Sequence, residues 1–202
     1  MPPVTLLQFP REIRDRIYDF VFTWKEIYPA CIGENRKNAC SDNPTRTPSL
    51  LLVNHQISSE AAVSYYGNRV WAGQPPHMLR FFENLGGCRN LIKVVKVNYS
   101  SMKSWIVCFP QLFGLLSCLS GLRLVKLMMM VYNLEAAQKQ PAFMALGLLK
   151  DHVEVAVYNE IFHAVESDNA RGYTIREIIW RRAAGAKIWV QEREKLEATH
   201  GW

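Results

Sequence analysis

Catalytic signatures are what this sequence most conspicuously lacks. No G-x-S-x-G turn offers a serine nucleophile and no H-E-x-x-H pair offers zinc ligands. Neither G-x-x-x-x-G-K nor G-x-G-x-x-G supplies a glycine loop able to cradle phosphates. Clustered metal ligands are missing too: His55, His77, His152, His163 and His200 are scattered, and eight residues separate Cys31 from Cys40. Residues three or four apart share a helical face, so Asp151-His152 and His163 with Glu160 offer acid-base pairs, which are more often ordinary surface contacts. The expectation is a protein that is not an enzyme, with no catalytic residue, no bound metal and no cofactor.

Long apolar runs are also scarce. The longest mostly apolar stretch, Ser104 to Leu119, is interrupted by Pro110 and small or polar residues, so it is too short and too mixed to cross a bilayer. The opening Met1-Pro2-Pro3-Val4-Thr5 has no basic segment followed by an apolar one, which argues against secretion. Cysteines are few and odd in number, five in all, and reduced thiols fit that count. The reading is an intracellular protein, cytoplasmic or nuclear, with no membrane segment.

A formal charge of +6 favours acidic partners, yet the basic residues alternate with acidic ones, as in Arg11, Glu12, Arg14, Asp15 and Arg16. No basic stripe, RNP signature or zinc-finger spacing accompanies the charge, so nucleic acid is not the expected partner. The set that would carry such binding is Arg171, Arg176, Arg181, Arg182 and Lys187, provided that a helix gathers it into one stripe. With 49% apolar residues, the chain has enough to bury a sizeable core.

The first strong pattern spans Leu6 to Phe22. Pro10 suits a first helical turn because its missing amide proton would have no partner there, and Glu12 suits the positive end of the helix dipole. Ile13, Ile17, Phe20 and Val21 then recur on one helical face. A short strand is predicted within Ile27 to Ile32, and Gly33 to Pro48, polar and without apolar period, reads as an exposed loop. A second helix is predicted from Ser49 to Gly67, then a short strand over Asn68 to Trp71.

Downstream, helix and strand alternate. A helix over His77 to Leu85 ends at Gly86-Gly87 and is followed by the β-branched strand Leu91 to Tyr99. A helix over Met102 to Leu119, kinked near Pro110, leads to a second strand within Leu122 to Val131. Connections of this length join parallel strands, which leaves two architectures open: a short solenoid, or a small sheet with helices on one side. Met128-Met129-Met130 has methionine's adaptability at a surface, but on a strand at least part of the run faces the core. Two helices, Ala142 to Glu166 and Thr174 to Ala198, are predicted to close the chain, with a break at Asp168 to Gly172.

Two of these segments together resemble the F-box-like domain of fungal proteins. Leu6, Leu7, Pro10, Glu12, Ile13 and Ile17 are similar to the opening of an F-box. Leu50 to Ala61 resembles its second half, and Trp71 stands where such proteins often carry an aromatic. The resemblance covers about the first third of the chain. Trp24 to Pro48 separates the halves where a typical F-box has a short turn, as in the fungal F-box-like variants. The related two-EXR pattern is half met: Glu12-Ile13-Arg14 matches, whereas Gln56-Ile57-Ser58 does not.

The resemblance implies docking to a Skp-type adaptor of a cullin ubiquitin ligase, while the remaining chain recruits a target protein. Pro10, Ile13 and Ile17 are the docking residues it implies, unless Ile13 and Ile17 are instead buried against Leu52, Val53 and Ile57. The expected fold is α+β: F-box-like helices in residues 1–73 packed on a small, mainly parallel sheet of helix-strand units in residues 74–202, closed by C-terminal helices. The expected role is a non-catalytic protein-interaction module, either a ligase adaptor or a self-contained interaction protein without ligase activity.

Overall fold

The computed structural model describes residues 5–22, 26–27, 49–99, 106–129, 134–167, 170–185 and 189–200. The predicted loop from Gly33 to Pro48, with Cys31 and Cys40, lies outside them. A seven-stranded sheet organises the fold, and its strands lie side by side in chain order. They are β1 (Glu26–Ile27), β2 (Val70–Gly73), β3 (Val94–Asn98), β4 (Leu124–Met129), β5 (Glu154–Ser167), β6 (Ala170–Arg182) and β7 (Val190–His200). From β1 to β5 every neighbouring pair is parallel. The last two pairs are antiparallel.

Strict chain order among parallel strands has a geometric consequence. Each connection must cross back over the sheet with the same hand, so the intervening helices gather on one face. Strand burial records this: β3 and β4 alternate half-buried and buried positions, with Val95, Val97, Val125, Leu127 and Met129 turned inward. Opposite them lie Met78 and Phe82 of α3 (Pro75–Asn84) and Phe109, Leu112, Phe113 and Leu116 of α4 (Cys108–Ser117), all inaccessible to solvent. The mainly parallel sheet of helix-strand units predicted from the sequence is the architecture observed.

Local chemistry sets the element ends. Pro75 opens α3 at a position where no amide is needed. Just after α3, Gly86 takes the left-handed conformation (φ 59°) that turns the chain out of the helix at no steric cost. Pro110 lies in the first turn of α4, so it starts that helix and does not kink it as the sequence predicts. Asn54 caps α2 (His55–Gly67) by accepting from the Ile57 amide at 2.9 Å. The predicted helix from Ser49 is thereby split into a 3-10 turn (Ser49–Leu52) and α2.

The largest correction concerns the C-terminal third. In place of two closing helices, the chain makes short helices α5 (Leu134–Gln138) and α6 (Pro141–Ala145) and then three strands. β5 pairs with β6 from Val155↔Arg182 to Ser167↔Ala170, so the sequence break predicted at 168–172 coincides with the start of the returning strand. Helical spacing at Ile175, Ile178 and Ile179 is overridden because a long strand pairing satisfies every backbone group that a helix would. Val153, Val155 and Val157, buried at alternate positions, carried the strand signal.

Candidate functional site

The N-terminal helix α1 (Arg11–Val21) turns Arg14 and Tyr18 inward, while Arg11, Glu12, Arg16 and Asp19 stay exposed. Its buried residues are Arg14 and Tyr18, one helical turn apart, with Phe22 a further turn on at the cap. They face α2, whose inward positions Ile57, Ala61 and Ser64 are small or apolar except for one carboxylate, Glu60. That carboxylate is the hub of the contact. Arg14 grips it bidentately, Nη2 donating to Oε1 at 2.7 Å and Nε to Oε2 at 2.8 Å. The Tyr18 hydroxyl donates to Oε2 at 3.0 Å and the Gln56 amide to Oε1 at 3.1 Å. Arg11 adds a second cation at 3.2 Å.

The network is closed at both ends. Arg14 Nη1 donates to the Phe9 carbonyl at 2.6 Å, which ties the approach to α1 onto the same hub. At the far end of the helix, Asp19 accepts from Ser64 Oγ at 2.6 Å and from Asn68 at 3.2 Å. Fork-on-fork geometry makes charge-assisted bonds strong and fixes register, whereas a buried charge stripped of its partner is costly. The hydrogen bonds from Arg14, ahead of those from Gln56 and Tyr18, hold the Glu60 carboxyl down from the ordinary 4.5 to about 2 against the opposing effect of burial. Burial first, and then the bond to Glu60, pushes the Tyr18 phenol up.

With Arg14 and Tyr18 turned inward, most of the apolar stripe of α1 points outward. Ile13 is 41% exposed, Phe20 79% and Val21 50%, while Ile17 is half-buried and Pro10 exposed. Leu7 and Phe9, just before the helix, are exposed as well. So are Leu52 (73%) and Val53 (59%), in and just after the 3-10 turn that leads into α2. Of the intrachain core named as the alternative for Ile13 and Ile17, only Ile57 is buried. Scattered exposed apolar residues need no explanation, but a helix that withdraws its arginine and tyrosine and presents isoleucine, phenylalanine and valine does.

Next to this pair, Trp71 on β2 is buried, donates its indole proton to the Tyr66 carbonyl at 3.1 Å and stacks on Phe81 at 4.7 Å between centroids. Arg69 is buried beneath the same layer, its guanidinium 4.6 Å from the Tyr65 ring and 5.1 Å from that of Phe22. Among the described residues its Nε and Nη2 meet no hydrogen-bond partner, and burial lowers its pKa. The negative faces of the two rings attract the cation without neutralising it.

Other sequence candidates are dispersed. Positions 171, 176, 181 and 182 lie on strand β6 and not on the predicted helix, and Lys187 lies outside the described residues. Arg181 pairs with Glu154 at 3.2 Å, and the Arg182 guanidinium lies 5.7 Å from the centre of the Trp189 ring. Positions 160 and 163 fall on opposite faces of β5, which removes the helical premise for pairing them. Asp151 and His152 sit exposed in the turn before β5. Among the described residues no group of three His, Cys, Asp or Glu is placed to hold a metal, and no helix is long and apolar enough to cross a membrane.

Sequence reasoning missed Glu60 as the partner of Arg14. The signal was there: Arg14, Tyr18 and Phe22 repeat every fourth residue, as do Gln56, Glu60 and Ser64, and each set carries one charge of opposite sign. No family model matches the chain, and no curated protein or solved structure matches it either.

Proposed function

We propose that this chain is a non-catalytic protein-interaction module that docks a partner through the outward face of α1. The observation that carries this reading is the inverted helix: Arg14 and Tyr18 are buried on Glu60 while Ile13, Phe20 and Val21 face solvent. Apolar side chains at i, i+4, i+7 and i+8 are the form in which a helix offers anchors to a hydrophobic groove. The buried ion pair fixes the helix from behind, so the anchors are held ready without taking part in the core.

The resemblance of Leu6 to Phe22 and Leu50 to Ala61 to a fungal F-box-like domain makes a Skp-type adaptor of a cullin ubiquitin ligase the partner we propose. The rest of the chain would then recruit a target. Of the sequence candidates, Ile13 is the strongest contact, with Pro10 and the half-buried Ile17 beside it; Phe20 joins them on exposure alone. A self-contained interaction protein without ligase activity, which expects Ile13 and Ile17 in the core, is the second reading; the half-buried Ile17 favours it and the exposed Ile13 does not.

Co-purification with a fungal Skp-type adaptor tests the first reading, with wild type beside an Ile13→Asp, Ile17→Asp variant whose fold is checked by circular dichroism. Binding that is lost in the folded variant supports it. A folded wild type that captures no adaptor sinks it and leaves the self-contained reading.

A further inference from the structure

The N-terminal rim of the parallel sheet holds a cleft of about 270 Å³. Three successive turns build it, each contributing one basic side chain. Lys93 immediately precedes β3, Arg123 immediately precedes β4, and His152 stands two residues before β5. Strand register keeps these turns level, since Val94 pairs with Leu124 and Leu124 with Glu154. Asn90 and Ser120 add an amide and a hydroxyl, and the last turn of α2 forms the side wall at Val63 and Gly67.

Backbone packing brings the first two turns together. A side chain at Gly121 would run into the Asn90 carbonyl, so glycine alone lets the β4 turn nest on the β3 turn. The nesting is bonded as well: the Lys93 carbonyl accepts from the amides of Arg123 at 2.9 Å and Leu124 at 3.1 Å, and the Arg123 carbonyl accepts from Glu154 at 2.8 Å. Lys93 and Arg123 are thus lined up at the heads of adjacent strands, where like charges repel, with His152 in the next turn. Among the described residues no carboxylate lines the cleft, and none of the three makes an ion pair. Elsewhere on the sheet the cations meet either a carboxylate, as Lys96 meets Glu26 and Arg181 meets Glu154, or a ring face, as Lys126 meets Tyr158 and Arg182 meets Trp189.

From this contrast we propose that the cleft is a binding site for a phosphate group, as the free ion or a small phosphate ester. Donors converge from three turns and from Asn90 and Ser120, which suits a tetrahedral anion with an oxygen for each direction better than a planar carboxylate with two. A guanidinium and an ammonium lining one cleft with a hydroxyl and an amide would supply the charge-assisted bonds such a group takes. The site is distinct from the α1 face and independent of the function proposed for it.

The test is a titration of the ¹⁵N-labelled chain with inorganic phosphate, followed by amide shifts at ionic strength held constant with sodium chloride. Saturable shifts are expected at Lys93, Ser120, Gly121, Arg123 and His152. A Lys93→Gln, Arg123→Gln variant with an unchanged circular dichroism spectrum is expected to bind at least about tenfold more weakly, from two lost charge-assisted bonds. A Lys126→Gln control, whose cation lies over the Tyr158 ring away from the cleft, is expected to bind like wild type. Acetate is expected to bind at least about tenfold more weakly than phosphate. Tighter binding of glycerol 3-phosphate than of inorganic phosphate assigns the esterified form, and the reverse assigns the free ion. The proposal is overturned if phosphate produces no saturable shift, if the double variant binds unchanged, or if acetate binds as well as phosphate.

Discussion

The sheet with its helices and the α1–α2 pair solve the same problem in opposite ways. Between β3, β4, α3 and α4 the apolar side chains point inward, and Phe82, Phe113, Leu116 and Val125 are wholly withdrawn from water. Between α1 and α2 the interface is built on Arg14, Tyr18, Gln56 and Glu60, and Ile13, Phe20 and Val21 are left outside. Burying a charge pair in place of isoleucine and phenylalanine gives up hydrophobic stabilisation, since taking two ions out of water is seldom more than offset by their attraction. What the arrangement gains is register and direction, because a bidentate pair fixes how α1 lies on α2. One region is therefore built on apolar burial and the other on a polar network.

The sharpest contrast should come from removing bulk in the first region. Phe82→Ala leaves a cavity under the sheet and is expected to cost about 3–5 kcal/mol, read as a lower urea midpoint with the unfolding slope unchanged.

Removing the hub of the second region comes next. Glu60→Gln strips Arg14 of its counter-charge and is expected to destabilise the fold at neutral pH. The acid limb provides the clearer signature. A carboxyl whose folded pKa lies below its unfolded value contributes stability above about 4.5, and that contribution is lost as pH falls toward about 2. Wild type should therefore weaken through this window by more than Glu60→Gln does. Equal slopes for the two proteins would mean that the Arg14–Glu60 pair does not hold α1 in place.

A smaller effect is expected from Gly121→Ala, where the added methyl meets the Asn90 backbone. Overpacking of this kind costs about 1–3 kcal/mol and would be seen as a lower thermal midpoint. The least effect on stability belongs to the outward face: Phe20→Ser is expected to move unfolding by less than about 0.5 kcal/mol. The same change should weaken capture of the adaptor. A Phe20→Ser protein that unfolds far more easily would place Phe20 in the core and erase the distinction between the two regions.

Legibility followed the range of the interactions. The α1 helix, the β2, β3 and β4 strands and the turns at Gly67 and Gly86 lie within two or three residues of where capping, periodicity and glycine placement put them. Contrary evidence came wherever a distant partner decided. Thr174 to Ala198 has strong helix formers and isoleucines at helical spacing, yet its residues divide between β6 and β7, because β5 supplies a long strand for β6 to pair with. The apolar stripe of α1 was visible from spacing, but its direction was not. A stripe names one face of a helix, and only the neighbour determines whether that face is covered.

The sequence by itself therefore determined the alternation of helix and strand, the parallel pairing that such connections require, and the amphipathic character of α1. Its residues also specified which positions break helices, because proline, glycine and asparagine act on the backbone within a turn of themselves. Tertiary structure alone decided that Arg14 meets Glu60, that Ile13 and Phe20 face water, and that Lys93, Arg123 and His152 rim one cleft. These are meetings between residues far apart in the chain. Only packing and strand register bring them together, and no local pattern encodes register across a whole sheet.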